Sequence, residues 1–316
     1  MSSDVNICSI PVSKAPEETS NSIPYTSLPA TSIIISMAMT VLAFLIALPR
    51  IYMNHRRLLF ADYFTILALI FSIVYTILIS LLARSYRHDW NIPSCWIDSS
   101  YMKLQFCLGL FLGIVQFFPK AAIFLMYREL FRVCSNAVHM SIWLGLIFTF
   151  LTNASNVPIS LAFLAPHYGE DWNDVLVRLS AHSSRPQYLL LGPIQGAVSV
   201  ILDIYIFILP LTIISHIILS PRKKIQLLLL FSTALLGVAA SMVALAYKVK
   251  LWIHESKHQG DQNWLLGLVN ICNAVEVNIS IIVGSMPAFA NFVKLHIIES
   301  SFFQILQSKF RSSYSA

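Results

Sequence analysis

The chain has 316 residues, of which 57% are hydrophobic and only 11% charged. Soluble domains carry about 25% charged residues, so this composition excludes an ordinary soluble enzyme and points to a membrane protein. The net charge of +6 is spread over short segments with no long basic tract, which excludes a nucleic-acid-binding surface.

Residues 1–30 are rich in Ser, Thr and Pro and contain no apolar run. No basic stretch leads into an apolar one, so the segment does not read as a cleaved signal peptide. It is expected to be a disordered tail.

Seven apolar runs follow, and a run of about 20 such residues spans a bilayer as a helix. They are expected at Ser32–Leu48, Tyr63–Leu82, Tyr101–Tyr127, His139–Leu164, Leu189–Leu219, Ile225–Trp252 and Trp264–Val293. Irregular backbone is not tolerated in lipid, so the expectation is an all-α, polytopic seven-helix bundle over residues 31–294. Beyond it, Leu295, Ile298, Phe302, Ile305 and Leu306 recur at helical spacing between basic residues. Residues 295–316 therefore read as a short interfacial helix or tail.

Basic residues crowd the ends of the runs on one side: Arg50, Arg56 and Arg57, then Arg128 and Arg132, then Arg222, Lys223 and Lys224. Lys248, Lys250 and Lys257 count toward the other side. The positive-inside rule then places the N-terminus outside or in a lumen and the C-terminus in the cytoplasm. Cys8 and Cys95 both fall on the outer side, where an oxidising compartment permits a bridge. With Cys107, Cys134 and Cys272 they show no metal-ligand spacing, and no nucleotide or catalytic motif is present. No metal or cofactor is expected.

The ionisable groups inside the spans carry the functional question. Lys120 lies 8 residues before Arg128, about 12 Å from the basic boundary, and Asp62 lies 5 after Arg57, about 7 Å from it. Similar depth suggests a structural ion pair, Asp62 with Lys120. Asp203 and Glu276 lie 19 and 18 residues from Arg222 and Lys294, near 27–29 Å by the same arithmetic. Two separate polar layers are therefore expected. Gln195, Ser199 and Asp203 share one face of the fifth span, and Asn270, Asn273, Glu276 and Ser280 one face of the seventh. The upper layer reads as a ligand-binding site of Gln195, Asp203, Asn270, Asn273 and Glu276. Asp203 and Glu276 are its catalytic candidates, since paired carboxylates can divide acid and base roles. The bland alternative is interhelical hydrogen bonding with no guest.

Lys120, Ile123, Tyr127-Arg128 and Leu130-Phe131 resemble the Lys-x-x-Ile…Tyr-x-Arg-x-Phe signature of the fungal rhodopsin-domain integral membrane proteins, which include the satratoxin-cluster membrane protein. Ala61-Asp62-Tyr63, Asp203…Pro210, Lys224…Phe231, and Glu276 with Met286-Pro287 follow in the same order. The resemblance implies a seven-helix fungal protein of a secondary-metabolite pathway, such as mycotoxin biosynthesis, with its molecular activity unassigned. The alternatives are a sensor of a small apolar ligand and a membrane-embedded enzyme of cyclase or isomerase type using the carboxylate pair. The expected partners are the lipid bilayer and a lipophilic small molecule. No retinal Schiff base is expected, because the seventh span contains no lysine.

Overall fold

The computed structural model describes residues 8, 11–13, 28–132, 134–180, 185–214, 221–256 and 261–293. Among these the elements are helices, with three short 3-10 turns in the loop between 83 and 96. They are α1 (Leu28–Asn54), α2 (Phe60–Leu82), α3 (Ser99–Leu130), α4 (Asn136–Ala154), α5 (Asn156–Leu164), α6 (Trp172–Ser180), α7 (Arg185–Ile214), α8 (Pro221–Ser256) and α9 (Gln262–Val293). Seven segments are long and apolar enough to cross a membrane. The chain is therefore a seven-helix, multi-pass membrane protein, with α4 and α5 together forming one span.

The break between α4 and α5 has a local cause. Pro158 has no N–H to give to the carbonyl of Ala154, and the chain turns at Ser155. α6 was not expected. Its nine residues form no apolar run, because polar and apolar positions alternate around the helix. It lies against α3, with Val175 buried and Trp172 tilted on Phe106 at 5.6 Å between ring centres.

α3 and α9 are the inner helices. α3 touches α2, α4, α5, α6, α7 and α9; α9 touches α1, α2, α3 and α8. Two glycines four residues apart let α3 approach its neighbours closely. A Cβ on Gly113 would stand 2.5 Å from the Asn153 carbonyl, and one on Gly109 3.2 Å from Leu164. Between the apolar clusters, buried polar side chains tie helices together. Asn278 accepts from Ser72 at 2.9 Å and donates to Thr40 at 3.3 Å, joining α9 to α2 and α1.

The end of the bundle that carries the α2–α3 loop is held by polar contacts. Asp98 caps α3 by accepting from the Tyr101 N–H at 2.9 Å, which holds its carboxyl below the ordinary carboxylate range. Asp89 accepts from the backbone N–H groups of Asp261, Gln262 and Asn263 and so caps α9. Asp261 takes a φ of 98° there, and its side chain meets His88 Nδ1 at 2.7 Å. His88 is stacked between Trp90 and Trp264. This loop fixes the chain's direction into α3 and α9.

Four described residues of the N-terminal segment sit on the same loop. Cys8 is bridged to Cys95 with Cα atoms 5.1 Å apart, Val12 N–H donates to the Ile92 carbonyl at 3.0 Å, and Pro11 bridges Pro93. The rest of residues 1–27, and the whole expected interfacial helix at 295–316, lie outside the described residues, whereas residues 28–30, expected in the tail, open α1. Because the bridge closes a separation of 87 residues, its removal by Cys8→Ser should cost about 2–4 kcal/mol. The cross-linked peptide should appear by mass spectrometry of a non-reduced digest, and Cys8→Ser should speed proteolysis of the N-terminal segment. Free, labelled Cys8 and Cys95 in the unreduced protein would contradict the bridge.

Candidate functional site

Lys120 sits in the tightest part of α3, where every residue from Ala121 to Tyr127 is buried. Pro119 precedes it and leaves the Val115 carbonyl without its helical donor. The Lys120 side chain is 2% exposed and turns into the bundle, not toward an interface. Its Nζ lies 2.9 Å from Asp203 Oδ1 on α7 and 3.2 Å from Glu276 Oε1 on α9. It also donates to Ser199 Oγ at 2.6 Å. Three acceptors meet the three N–H bonds of an ammonium.

The acids are held from their other sides as well. Ser199 Oγ donates to Glu276 Oε1 at 2.6 Å, and the Ser241 hydroxyl on α8 donates to Asp203 Oδ2. One buried network therefore joins α3, α7, α8 and α9. The expected Asp62–Lys120 pair does not form, and the two expected layers are wrong for Lys120. Counting to the next basic residue is no measure of depth, because Arg128 lies inside α3 and Arg222 belongs to α8. Along α3 Lys120 lies ten residues before Leu130, and along the described part of α7 Asp203 lies eleven before Ile214, about 15 and 17 Å at 1.5 Å per residue. α9 continues further at that end, so Glu276 reaches the same level from a longer helix.

Asp62 has a different partner. Arg50 Nε lies 2.7 Å from Asp62 Oδ1, with both side chains buried, and Arg50 Nη1 donates to the Gly284 carbonyl. Asp62 Oδ2 accepts from Asn54 Nδ2 at 2.9 Å and from the Leu59 N–H at 3.0 Å. Asp62, at the third position of α2, thus both holds the N-cap N–H of Leu59 and is the counter-ion of Arg50. Arg50 is not the loop residue at the boundary that the sequence suggests. It lies inside α1, which runs six residues past Leu48.

A cavity of about 690 Å³ lies between the Lys120 network and the bridged loop. Leu108 and Leu112 of α3, Ser160 and Leu164 of α5, Leu176 and Leu179 of α6, and Val198 of α7 line it. Val12 and Ser13 also reach it. Gln195, Asn270 and Asn273 are on its wall as well, but Asp203 and Glu276 are not. The polar stripes of α7 and α9 divide: Gln195, Asn270 and Asn273 line the cavity, while Asp203, two turns beyond Gln195, and Glu276, one turn beyond Asn273, turn to Lys120.

Sequence reasoning missed Lys248. Counted as a loop residue, it lies within α8, is 4% exposed and lines the cavity. The run from Ile225 to Trp252 contained it, and its depth four residues inside that run was the available signal. Asn270 Nδ2 donates to the Tyr86 hydroxyl at 2.9 Å, and Gln195 reaches Gln116 at 3.4 Å. Among the described residues no group of three or more His, Cys, Asp or Glu is arranged to hold a metal.

The comparisons agree with this architecture. No curated protein and no solved structure matches the chain. The fungal rhodopsin domain matches residues 47–295, from the last turns of α1 past the end of α9, and so takes in Lys120, Asp203, Glu276 and the whole cavity wall contributed by the spans. A match over most of the chain, on seven membrane-spanning helices, makes the protein a member of the fungal rhodopsin domain family.

Proposed function

We propose that this protein is a heptahelical binding protein for a lipophilic small molecule, working as a sensor in a fungal secondary-metabolite pathway. The cavity carries the binding half of this reading. Small-molecule sites are clefts of about 300–1,000 Å³ with mostly apolar walls and a few convergent polar groups. Here about 690 Å³ has a mainly apolar wall of aliphatic and aromatic side chains and Met102, with Gln195, Asn270, Asn273 and Lys248 among its polar groups. The pathway half rests on the resemblance to fungal members encoded in metabolite clusters, the satratoxin-cluster type included.

The alternative of a cyclase or isomerase with a carboxylate pair is disfavoured by one observation. Asp203 and Glu276 are off the cavity wall and already engaged by Lys120, Ser199 and Ser241. An acid–base pair must come within hydrogen-bond reach of its substrate. In this reading the two acids hold the floor of the site and Gln195, Asn270 and Asn273 meet the guest. The basic clusters at Arg56–Arg57 and Arg128 support an orientation with the cavity toward the outside or lumen.

The test replaces the chromosomal gene with a Val198→Trp allele, which fills the cavity from α7, and profiles metabolites. A severalfold drop or delay in the pathway's product, with normal amounts of the protein, is expected. Unchanged product level and timing would defeat the reading, and an accumulating precursor would replace it with the enzyme.

A further inference from the structure

Lys248 stands apart from the other charges around the cavity. Its Nζ is buried and has no hydrogen-bond partner among the described residues, yet its side chain lines the cavity. A buried ammonium without an acceptor is costly. Asp89, the other charged residue on the described wall, is satisfied by three backbone N–H groups and Asn263 Nδ2 at 2.9 Å. The Lys120 ammonium is satisfied by Asp203, Glu276 and Ser199.

We propose that Lys248 is the recognition group of the cavity, and that the occupant is a neutral, largely apolar molecule whose carbonyl or hydroxyl oxygen accepts a hydrogen bond from Lys248 Nζ. This deepens the small-molecule reading above and rests on it. The choice of a neutral occupant follows from the charges already present. Counted formally, Lys120 and Lys248 bring two positive charges and Asp203 and Glu276 two negative ones. Glu276 lies within electrostatic range of Lys248, so the ammonium has a counter-charge but no hydrogen-bond acceptor. A carboxylate on the guest would add an uncompensated negative charge in a low-dielectric interior. A cationic guest would be repelled by Lys248 itself, and a plain hydrocarbon would leave Nζ unmet. Asn273, beside Tyr75, lines the same space. It can accept from a guest hydroxyl, with the amide orientation fixed by that contact.

The test uses the full chain in phosphatidylcholine nanodiscs with Nile red, a neutral solvatochromic probe bearing a carbonyl. The same measurement on Val198→Trp gives the lipid background. Methyl dodecanoate and, at pH 8, dodecanoate then compete for the probe. The ester is expected to displace Nile red at a concentration at least about tenfold below that needed for the anion. Lys248→Met should weaken the ester about tenfold or more, since a hydrogen bond to a charged group is lost. Lys248→Gln, which keeps a donor without the charge, should weaken it less. Both variants are close to lysine in length and remove no described hydrogen bond, and probe binding by Lys248→Gln shows that the fold survives. Equal or better displacement by dodecanoate overturns the neutral assignment. An unchanged ester affinity in Lys248→Met overturns the role of Lys248. In both cases a probe signal in the wild type that Val198→Trp abolishes leaves the cavity reading standing. Equal Nile red binding by wild type and Val198→Trp overturns that reading and this inference together.

Discussion

Lys120→Met should be the most damaging single substitution within the bundle. It removes the one ammonium that Asp203 and Glu276 share and leaves two carboxylates facing each other away from water. Breaking a buried ion pair by deleting one partner typically costs about 3–5 kcal/mol, and like charges at close range add to that. The expected readout is a large loss of folded protein in a detergent melt. The triple change Lys120→Met, Asp203→Asn, Glu276→Gln should recover most of it, because no charge is then left unmatched and the amides can bond Ser199 and Ser241. A Lys120→Met protein as stable as the wild type, within about 0.5 kcal/mol, would mean that the triad is not what holds these helices. So would a triple variant no better than the single one.

That network also explains how the cavity keeps its shape. The helices meeting at Lys120 are α3, α7, α8 and α9, and all four contribute to the cavity wall. Ser199 and Asp203 sit one and two turns below Gln195, and Glu276 one turn below Asn273. Fixing the acids to Lys120 therefore sets the rotation of α7 and α9, and with it the direction in which Gln195, Asn270 and Asn273 point. Buried polar groups serve this positioning role well when every member is satisfied. Variants that loosen the triad should for that reason also weaken Nile red binding, although no triad residue is on the wall.

The seven spans were legible because an apolar run of bilayer length, nearly free of charge, fits a membrane-crossing helix and little else. The polar faces of α7 and α9 were legible too, since spacings of three and four put Gln195, Ser199 and Asp203, or Asn270, Asn273 and Glu276, on one side. Pairing was not legible. Lys120 and Asp62 look matched when each is ranked by distance from a basic residue, and that ruler ignores how far a helix runs past its apolar core. α1 continues to Asn54 and carries Arg50 inward; Arg222 belongs to α8; α9 continues at least to Val293. Lys248 was lost for the same reason, since a lysine near the end of a run reads as a boundary. α6 escaped because a nine-residue amphipathic helix has no run at all. The bridge from Cys8 to Cys95 was visible as a compartment argument, but the sequence holds nothing that sets its geometry.

Arg50 gives the second large effect, and the one that separates the expected pairing from the observed one. Arg50→Met should cost about 3 kcal/mol, because Asp62 then keeps only the Asn54 amide and the Leu59 N–H while losing a guanidinium at 2.7 Å. The Gly284 carbonyl loses its contact with the guanidinium at the same time, so α1 is loosened from both α2 and α9. Asp62→Asn should cost less, since an asparagine oxygen can still accept from the Leu59 N–H. Made together, Arg50→Met and Asp62→Asn should lose at least about 1 kcal/mol less than the sum, as residues in direct contact do. Lys120→Met and Asp62→Asn share no partner, so their costs should add to within about 0.5 kcal/mol. Both cycles can be read from reversible unfolding in mixed micelles. Coupling between Lys120 and Asp62, with additivity between Arg50 and Asp62, would mean that Asp62 answers the lysine after all and that the Arg50 contact is incidental.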